Sequence, residues 1–196
     1  PNSVIHHASF GCAGMAMSDV GSISRHEAVK IVAGCDVDEK RTVEFRKRFP
    51  EARIYSDFRE LLDKEKDVDG VIIATPDHWH VPICQAALQA GKHVYCEKPL
   101  AHSVAECRLL EKLALDHPRQ ATQTGNQGCS TEGFRRSFEV IRAGVLGTVT
   151  EVHVWHPAHG WPCAMERPAT ADPIPDGLDW DFWLGQAPHR PYHHEI

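Results

Sequence analysis

Two hydrophobic periods alternate along the first two thirds of the chain. Short runs of β-branched and other apolar residues predict strands, and the segments between them, with apolar positions every three or four residues, predict helices. The predicted strands are residues 4–10, 29–35, 53–55, 71–74, 93–96 and 120–124, and the predicted helices are 15–24, 39–49, 58–64, 80–90 and 104–116. Strands and helices in alternation predict a parallel sheet, covered by helices on both faces and joined by right-handed crossovers.

The pattern changes after Thr124. A helix is predicted over residues 131–143, ended by Gly144, and a strand over residues 149–155, where side chains alternate between two faces. We therefore expect a first domain over residues 1–125 and the beginning of a second domain over residues 126–196, whose remainder is missing from the sequence.

An arm rich in proline, tryptophan and histidine follows, over residues 157–191, without a long periodic segment. Four tryptophans, from Trp155 to Trp183, would expose an apolar patch larger than soluble monomers usually show. We therefore expect residues 155–183 to be buried against another chain or against the missing part of the same chain.

Composition narrows the choice of partners. A chain of 196 residues with 42% apolar residues can bury one core and part of a second. The net charge of -6, without a basic run, argues against a nucleic acid or an anionic membrane as partner. No apolar stretch is long enough to span a bilayer.

The seven cysteines, without a C-x-x-C pair, fit neither a disulfide framework nor a zinc site. Reduced thiols in the cytoplasm are the simplest account, and a periplasmic location stays open if an exported precursor was trimmed.

The first strand-to-helix connection reads Ser-Phe-Gly-Cys-Ala-Gly, from Ser9 to Gly14. It stands where a dinucleotide-binding fold carries G-x-G-x-x-G, with Ser9 in place of the first glycine. Gly11 would let the backbone approach a pyrophosphate, Gly14 would let the helix pack closely, and the helix N-terminus would attract the anion. Taken alone, the motif also fits an ordinary tight turn.

Asp36 follows the second predicted strand, about 20 residues beyond the glycines, where a dinucleotide-binding fold places an acid. Such an acid accepts hydrogen bonds from a ribose 2′-hydroxyl and repels a 2′-phosphate. NAD is therefore favoured over NADP. A solvated aspartate at a strand end is the alternative, which the order of strand, turn, helix, strand and acid disfavours.

Two later stretches reach the same edge of the predicted sheet. Thr75 and Pro76 follow the fourth strand, and Glu97, Lys98 and Pro99 follow the fifth. In an open parallel sheet, ligands bind outside the carboxyl ends of the strands. A glutamate and a lysine directly after a buried strand therefore either mark a strand end in solvent or belong to a site.

Five blocks, SFGCAGM, CDVDEKR, ATPDHWH, GKHVYCEKPLA and GNQG, occur in this order. With them the chain resembles the family of glucose-fructose oxidoreductase, inositol dehydrogenase and rhizopine catabolism (MocA) proteins. The resemblance implies a Rossmann-type doubly wound parallel sheet that binds NAD, followed by the start of an α/β domain with an open antiparallel sheet. It also implies a small carbohydrate or polyol substrate and a homo-oligomer.

The same resemblance implies a set of cofactor-binding residues. They are Phe10, Gly11, Cys12, Ala13, Gly14, Met15, Asp36, Arg41, Thr75, Pro76, His80, Glu97, Lys98 and Asn126. The residues from Phe10 to Met15 would line the pyrophosphate, Asp36 would hold the adenosine ribose, and Arg41 would lie against the adenine. The others would border the nicotinamide half.

Lys98 is the predicted catalytic residue, facing both nicotinamide and substrate. Oxidation of a hydroxyl needs a base for the O–H proton while a hydride leaves the carbon, so Lys98 would either take that proton or orient the hydroxyl. Pro99 would fix the backbone there, with a cis bond as one form. In the family this work is commonly shared with a histidine on a helix of the second domain, and no such helix is predicted before Ile196.

The remaining candidate residues lie in and directly after the last predicted strand. His156 and Trp161 are predicted substrate contacts. His153, His156 and His159 lie three residues apart, but on a strand that spacing points successive side chains to opposite faces, so no metal site is expected.

Three functions are compatible with the sequence. The leading one is an NAD-dependent oxidoreductase that acts on a CH–OH group of a sugar or polyol. The second is an NAD-dependent glycoside hydrolase that works by transient oxidation and elimination, and the third is a non-catalytic cofactor-sensing protein of the same fold.

Overall fold

Six parallel strands form one sheet in the computed structural model, which describes residues 4–155, 166 and 168–194. The strands are β1 (Ile5–Phe10), β2 (Val29–Cys35), β3 (Arg53–Tyr55), β4 (Gly70–Ile73), β5 (His93–Glu97) and β6 (Thr122–Gly125). Their order is β3-β2-β1-β4-β5-β6, and every neighbouring pair is parallel. This is the doubly wound order of a dinucleotide-binding fold, so the predicted fold class is confirmed.

Helices cover both faces of the sheet, close to the predicted bounds. They are α1 (Met15–Ile23), α2 (Val43–Arg48), α3 (Phe58–Lys64), α4 (Asp77–Gln89) and α5 (Val104–Asp116). A 3-10 turn precedes α2, and α4 begins ahead of the predicted start at His80. The side chains of Asp57 and Ser103 accept hydrogen bonds from N–H groups in the first turns of α3 and α5. Such caps satisfy donors that a helix start leaves unpaired.

Alternate residues of the central strands face opposite helical layers. Val71 and Ile73 of β4 belong to one buried cluster with Phe58, whereas Ile72 belongs to a second cluster with Phe45. A strand buried on both faces is apolar throughout, as β4 is. The two clusters fix the sheet between its helices and so fix where its carboxyl ends lie.

The segment directly beyond β6 is exposed. A 3-10 turn leads into α6 (Glu132–Arg142), which lies within the predicted helix and carries exposed Phe134 and Phe138. The predicted strand over residues 149–155 is wrong, because these residues have no regular secondary structure and Trp155 is 83% exposed. A strand needs a hydrogen-bonded neighbour, and none of the described residues pairs with this segment.

Residues 168–194, called the returning arm below, fold back onto the first domain. Their short helix α7 (Trp180–Leu184) places the Phe182 ring against Phe58 and Trp79, at centroid distances of 6.1 and 5.1 Å. Trp180 is only 4% exposed. The prediction that residues 155–183 are buried on another chain or on a missing part of this one is therefore wrong for α7, because Phe58 and Trp79 supply the apolar surface within the same chain.

No helix in the described ranges combines the length and the apolar character needed to cross a membrane. The cysteines at positions 12, 35, 84, 96, 107 and 129 are free thiols. Cys163 lies outside the described residues.

Candidate functional site

The turn between β1 and α1 depends on two glycines with positive φ. Gly11 has φ 95°, and a Cβ atom there would lie 2.7 Å from the carbonyl oxygen of Ala74. Gly14 has φ 55° and directly precedes α1, and a Cβ atom there would meet no atom of the described residues within 4 Å. The expectation that Gly14 allows close helix packing is therefore wrong: its backbone conformation, not a lack of space, requires glycine.

Ser9 has its own part in this turn. It is fully buried, and its hydroxyl donates a hydrogen bond to the carbonyl oxygen of Gly11 at 2.7 Å. The departure from the first glycine of the motif therefore adds a hydrogen bond inside the turn that a glycine could not make.

Asp36 lies at the end of β2, next to the glycine turn. Its carboxylate accepts hydrogen bonds from the backbone N–H groups of Cys12 at 2.9 Å and Asp38 at 3.1 Å. Burial raises the pKa of Asp36 above its ordinary value, while those two N–H groups act in the opposite direction. Arg41 is exposed and lies near Asp38, 3.8 Å from its carboxylate.

A cleft of about 510 Å³ opens along the carboxyl edge of the sheet, within the usual range for ligand sites. Its lining includes the predicted residues Phe10, Gly11, Asp36, Arg41, Thr75 and Pro76. The buried Thr75 hydroxyl oxygen has no hydrogen-bond partner among the described residues. A dinucleotide fits these features, since its pyrophosphate can approach Gly11 closely, its ribose can bond Asp36, and its polar groups can pair with Thr75.

His80 lies beneath this edge and not on the cleft wall where it was predicted to border the nicotinamide. It is 1% exposed, with Nδ1 2.6 Å from the carbonyl oxygen of Pro99 and Nε2 2.9 Å from that of Thr75. Both neighbours are acceptors, and a histidine donates from both nitrogens only when protonated. His80 therefore ties together the two loops that follow β4 and β5.

Protonation of His80 is favoured by its surroundings. Burial lowers the pKa of His80, but the Cys96 side chain and the two carbonyl groups outweigh burial and raise it to about 9. Cys96 itself stays a neutral thiol, because its contact with Cys84 and its burial raise its pKa far above the ordinary value. Because Cys96 is neutral, the charged form of His80 is favoured mainly by its hydrogen bonds to the two carbonyl oxygens.

The residues from Glu97 to Pro99, at the end of β5 and directly after it, differ in exposure and in backbone geometry. Glu97 is 4% exposed, Lys98 is exposed, and the Lys98–Pro99 peptide bond is cis. Glu97 accepts hydrogen bonds from the side-chain amide of Gln127 and, at 3.3 Å, from the hydroxyl of Tyr95. The carboxylate is therefore held in place directly before the exposed Lys98 in the sequence.

Asp19 joins this group, although no motif in the sequence singled it out. It lies in α1, and its Oδ1 accepts a hydrogen bond from Gln127 at 3.3 Å. Burial raises the pKa of Asp19 to about 6, against the effect of the Gln127 bond and with the help of the nearby Glu97 carboxylate. In the sequence, Asp19 is one of several polar residues of a helix, and Gln127 is part of the GNQG block. Neither residue carries a signal of its own that predicts this contact.

Three further predicted residues, Asn126, His156 and Trp161, lie apart from the cleft lining or outside the described residues. Asn126 is exposed at the end of β6, close in sequence to Gln127. His156 and Trp161 lie outside the described residues, as does His159. Among the described side chains, Asp172, His193 and His194 bring possible metal-ligand atoms within 4.8 Å of one another, on residues that the sequence did not suggest.

Fold and site together define a class of dinucleotide-dependent proteins with a Rossmann domain. Residues 5–124, more than half of the chain, match the oxidoreductase family with an NAD-binding Rossmann fold that is named after glucose-fructose oxidoreductase, inositol dehydrogenase and MocA. The chain belongs to this family, as the sequence blocks predicted.

Individual relatives agree with this assignment. An inositol 2-dehydrogenase of Salmonella paratyphi B is 32% identical over 129 residues, which are 65% of this chain and 38% of that protein. A 1-carboxy-3-chloro-3,4-dihydroxycyclohexa-1,5-diene dehydrogenase of Comamonas testosteroni is 30% identical over 162 residues, which are 83% of this chain and 39% of that protein. The chain thus spans less than half the length of these relatives.

Solved structures show the same fold. A scyllo-inositol dehydrogenase from Lactobacillus casei, crystallised with NAD(H) and scyllo-inositol, aligns with a TM-score of 0.70 at 21% identity. The alignment covers 76% of this chain and 44% of that one. At this identity the likeness supports the fold alone.

Proposed function

We propose that the protein is an NAD-dependent oxidoreductase that transfers a hydride between a CH–OH carbon of a polyol or sugar and nicotinamide. The observation that carries the proposal is the strand order, which brings the glycine turn, Asp36 and the Glu97 to Pro99 stretch to the same sheet edge. Gly11 and Asp36 line the cleft there, whereas the Glu97 to Pro99 stretch lies beside it. Membership of an oxidoreductase family and the named dehydrogenases among its relatives support the reaction class.

The cofactor preference follows from Asp36. Its carboxylate is fixed by two backbone N–H groups and still lines the cleft. A fixed anion at this place accepts hydrogen bonds from the ribose hydroxyls of NAD and repels the 2′-phosphate of NADP.

Lys98 is the residue that we assign to the reacting hydroxyl. NAD, when bound, supplies a hydride acceptor at its nicotinamide ring. β5 lies beside β4 in the sheet, so Lys98 stands one strand away from the Thr75 loop, on the exposed side of the edge. There the Lys98 side chain can donate a hydrogen bond that orients the substrate hydroxyl, and in its neutral amine form it can take the hydroxyl proton while the hydride leaves the carbon. His80 bonds the carbonyl oxygen of Pro99 and so holds the backbone next to Lys98.

The variant Lys98→Met tests this role in the full-length protein. Methionine keeps much of the stem volume and removes the charge and the donors, so NAD affinity should change little. Turnover with a polyol such as scyllo-inositol or myo-inositol should fall on the order of 10²-fold or more, the range for losing a positioned acid or base. Reduced nicotinamide measures turnover, and calorimetry measures NAD affinity.

Lys112→Met is the matched control, because Lys112 is an exposed lysine of α5 that pairs only with Asp116 at the surface. It should leave both quantities unchanged. Near-normal turnover of Lys98→Met, or a defect that is wholly a loss of NAD affinity, would show that Lys98 is structural.

The same assay separates the alternative functions. An oxidoreductase converts NAD to NADH in proportion to the substrate consumed, whereas a hydrolase using transient oxidation leaves the NAD pool unchanged and releases a leaving group. A cofactor sensor binds NAD(H) and turns over neither substrate. Proportional formation of NADH is the result that we expect.

A further inference from the structure

The returning arm reaches the cleft at one defined place. The cleft lining includes Leu178, Trp180, Phe182 and Trp183 from the arm, together with Asp36 and Val37 from the end of β2. The matched family region ends at residue 124, so this wall comes from a part of the chain outside the matched Rossmann domain.

Backbone hydrogen bonds tie the arm beside the ribose-binding carboxylate. The N–H of Glu39 donates to the carbonyl oxygen of Gly177 at 2.9 Å, and the N–H of Asp179 donates to that of Val37 at 2.9 Å. Asp38 and Leu178 form an antiparallel bridge between these bonds. The arm is therefore joined to the residues directly after Asp36, at the end where adenosine would lie.

A second attachment joins the arm to the start of α4. The indole N–H of Trp79 donates to the carbonyl oxygen of Phe182 at 3.0 Å, and Nε2 of His78 lies 2.8 Å from that of Trp183. The arm also has internal order: the Trp180 indole stacks on Trp183 at 4.8 Å and donates to the carbonyl oxygen of Arg190. Fixed at both places, it is a formed wall and not a loose tail.

The part of the wall at Leu178 stands away from the proposed chemistry. Asp36 follows β2 and Lys98 follows β5, and these strands are three places apart in the sheet, or on the order of 14 Å at the usual strand spacing. The second attachment, at His78 and Trp79, lies after β4 and nearer to Lys98, so the segment bonded beside Asp36 is the one that faces the adenosine end.

We propose that residues 177–184 form the outer wall of the adenosine end of the cleft and control how fast the cofactor exchanges. This inference rests on the proposed NAD-dependent function. The exposed side of an adenosine in an open Rossmann domain would here face aromatic and apolar side chains, which bury its flat ring surface. Departure of the cofactor then requires the arm to move, so the arm slows dissociation more than it alters association.

Gly185 offers a test that replaces none of the residues lining the cleft. It has φ 56°, and a Cβ atom there would overlap the Trp79 indole, so Gly185→Ala should displace α7 from Trp79. Gly144→Ala is the matched control, because Gly144 has φ 70° and a Cβ atom there would meet no described atom within 4 Å. Both variants carry similar backbone strain, but only one disturbs the arm.

The measurement is the dissociation rate of NADH from the chain, followed by its fluorescence in stopped-flow displacement with excess NAD. We expect Gly185→Ala to raise the dissociation rate of NADH about tenfold or more, because the loss of one contact commonly weakens affinity by a factor of about ten. Gly144→Ala should leave the dissociation rate near the parental value. Phe182→Ala, which removes the ring packed on Phe58 and Trp79, should also accelerate dissociation. Parental rates in both Gly185→Ala and Phe182→Ala would overturn the proposal, whereas failure of the parental chain to bind NADH at all would overturn the proposed function.

Discussion

His80 shows how a single buried residue can hold two loops of a candidate site together. Its two ring nitrogens face the carbonyl oxygens of Thr75 and Pro99, so it links the loops after β4 and β5. One loop carries Thr75, whose hydroxyl has no hydrogen-bond partner among the described residues, and the other carries Lys98. The distance between these two loops therefore depends on His80.

We expect His80→Phe to lower the free energy of unfolding by about 2–4 kcal/mol, because the phenyl ring fills the space but leaves two carbonyl groups without their donors. The difference between parent and variant should also depend on pH. The pKa of His80 is raised in the folded state, so its stabilisation is complete below the ordinary value of 6.5 and is lost as the pH rises through the raised folded-state pKa.

Urea unfolding of both proteins across this pH range gives the comparison. His26→Phe serves as a control, because His26 is an exposed histidine and its replacement should change stability little. A gap between parent and His80→Phe that stays constant with pH would show that His80 is not held as a cation.

At the scale of elements, β3 matters beyond its three residues. The carbonyl oxygen of Tyr55 accepts a hydrogen bond from the N–H of Asp36 at 3.1 Å, so this edge strand helps to fix the predicted ribose ligand. Glu65, at the end of α3, accepts hydrogen bonds from the side chains of Arg53 and Tyr55 and so fastens β3 to the helix.

We expect Glu65→Ala to lower the free energy of unfolding by about 1–3 kcal/mol, the usual cost of losing hydrogen bonds to a charged group. Burial raises the pKa of Glu65, but Arg53 and Tyr55 outweigh burial and lower it below 4.5. The stabilisation is therefore present above pH 4.5 and is lost as the pH falls through the folded-state pKa.

Thermal or urea unfolding at neutral and acidic pH checks this. Glu60→Ala is the matched control on the same helix, since Glu60 makes only a surface ion pair with Lys64. Equal effects of the two substitutions would contradict the role given to Glu65.

The elements that could be predicted are those whose own apolar residues recur with a clear helical or strand period. Every strand of the sheet and the helices from α1 to α6 follow from apolar periodicity. The helices from α1 to α5 each bury apolar residues, whereas the apolar residues of α6 are exposed. The prediction of a strand over residues 149–155 was wrong, because alternating apolar and polar side chains do not by themselves provide a neighbouring strand for hydrogen bonds. Helix α7 was missed because its five residues are stabilised by Phe58 and Trp79, which are distant in the sequence.

The site shows the same limit. Gly11, Asp36 and the Glu97 to Pro99 stretch stand in recognisable order along the chain, and the sheet brings them to one edge. Asp19 could not be predicted, since its raised pKa arises from burial and from Glu97, which lies on another element. The true place of His80 was also beyond the sequence, because its partners are backbone carbonyl groups.

At the scale of the whole molecule, the chain combines a complete Rossmann sheet with residues that return to it. The boundary between domains at residues 125 and 126, a homo-oligomeric state, a cytoplasmic location and the absence of a metal site remain predictions. The exposed Phe134 and Phe138 of α6 belong to the predicted second domain.

Calorimetric titration with NADH and NADPH tests the account most directly, because the role given to Asp36 and the proposed reaction both require a bound NAD. We predict saturable binding of NADH that is tighter than that of NADPH. Asp36→Ala should weaken NADH binding by about 1–3 kcal/mol, whereas Asp116→Ala, an exposed carboxylate of α5, should leave it unchanged. NADPH binding as tightly as NADH or tighter, or no saturable binding of either, would contradict the account.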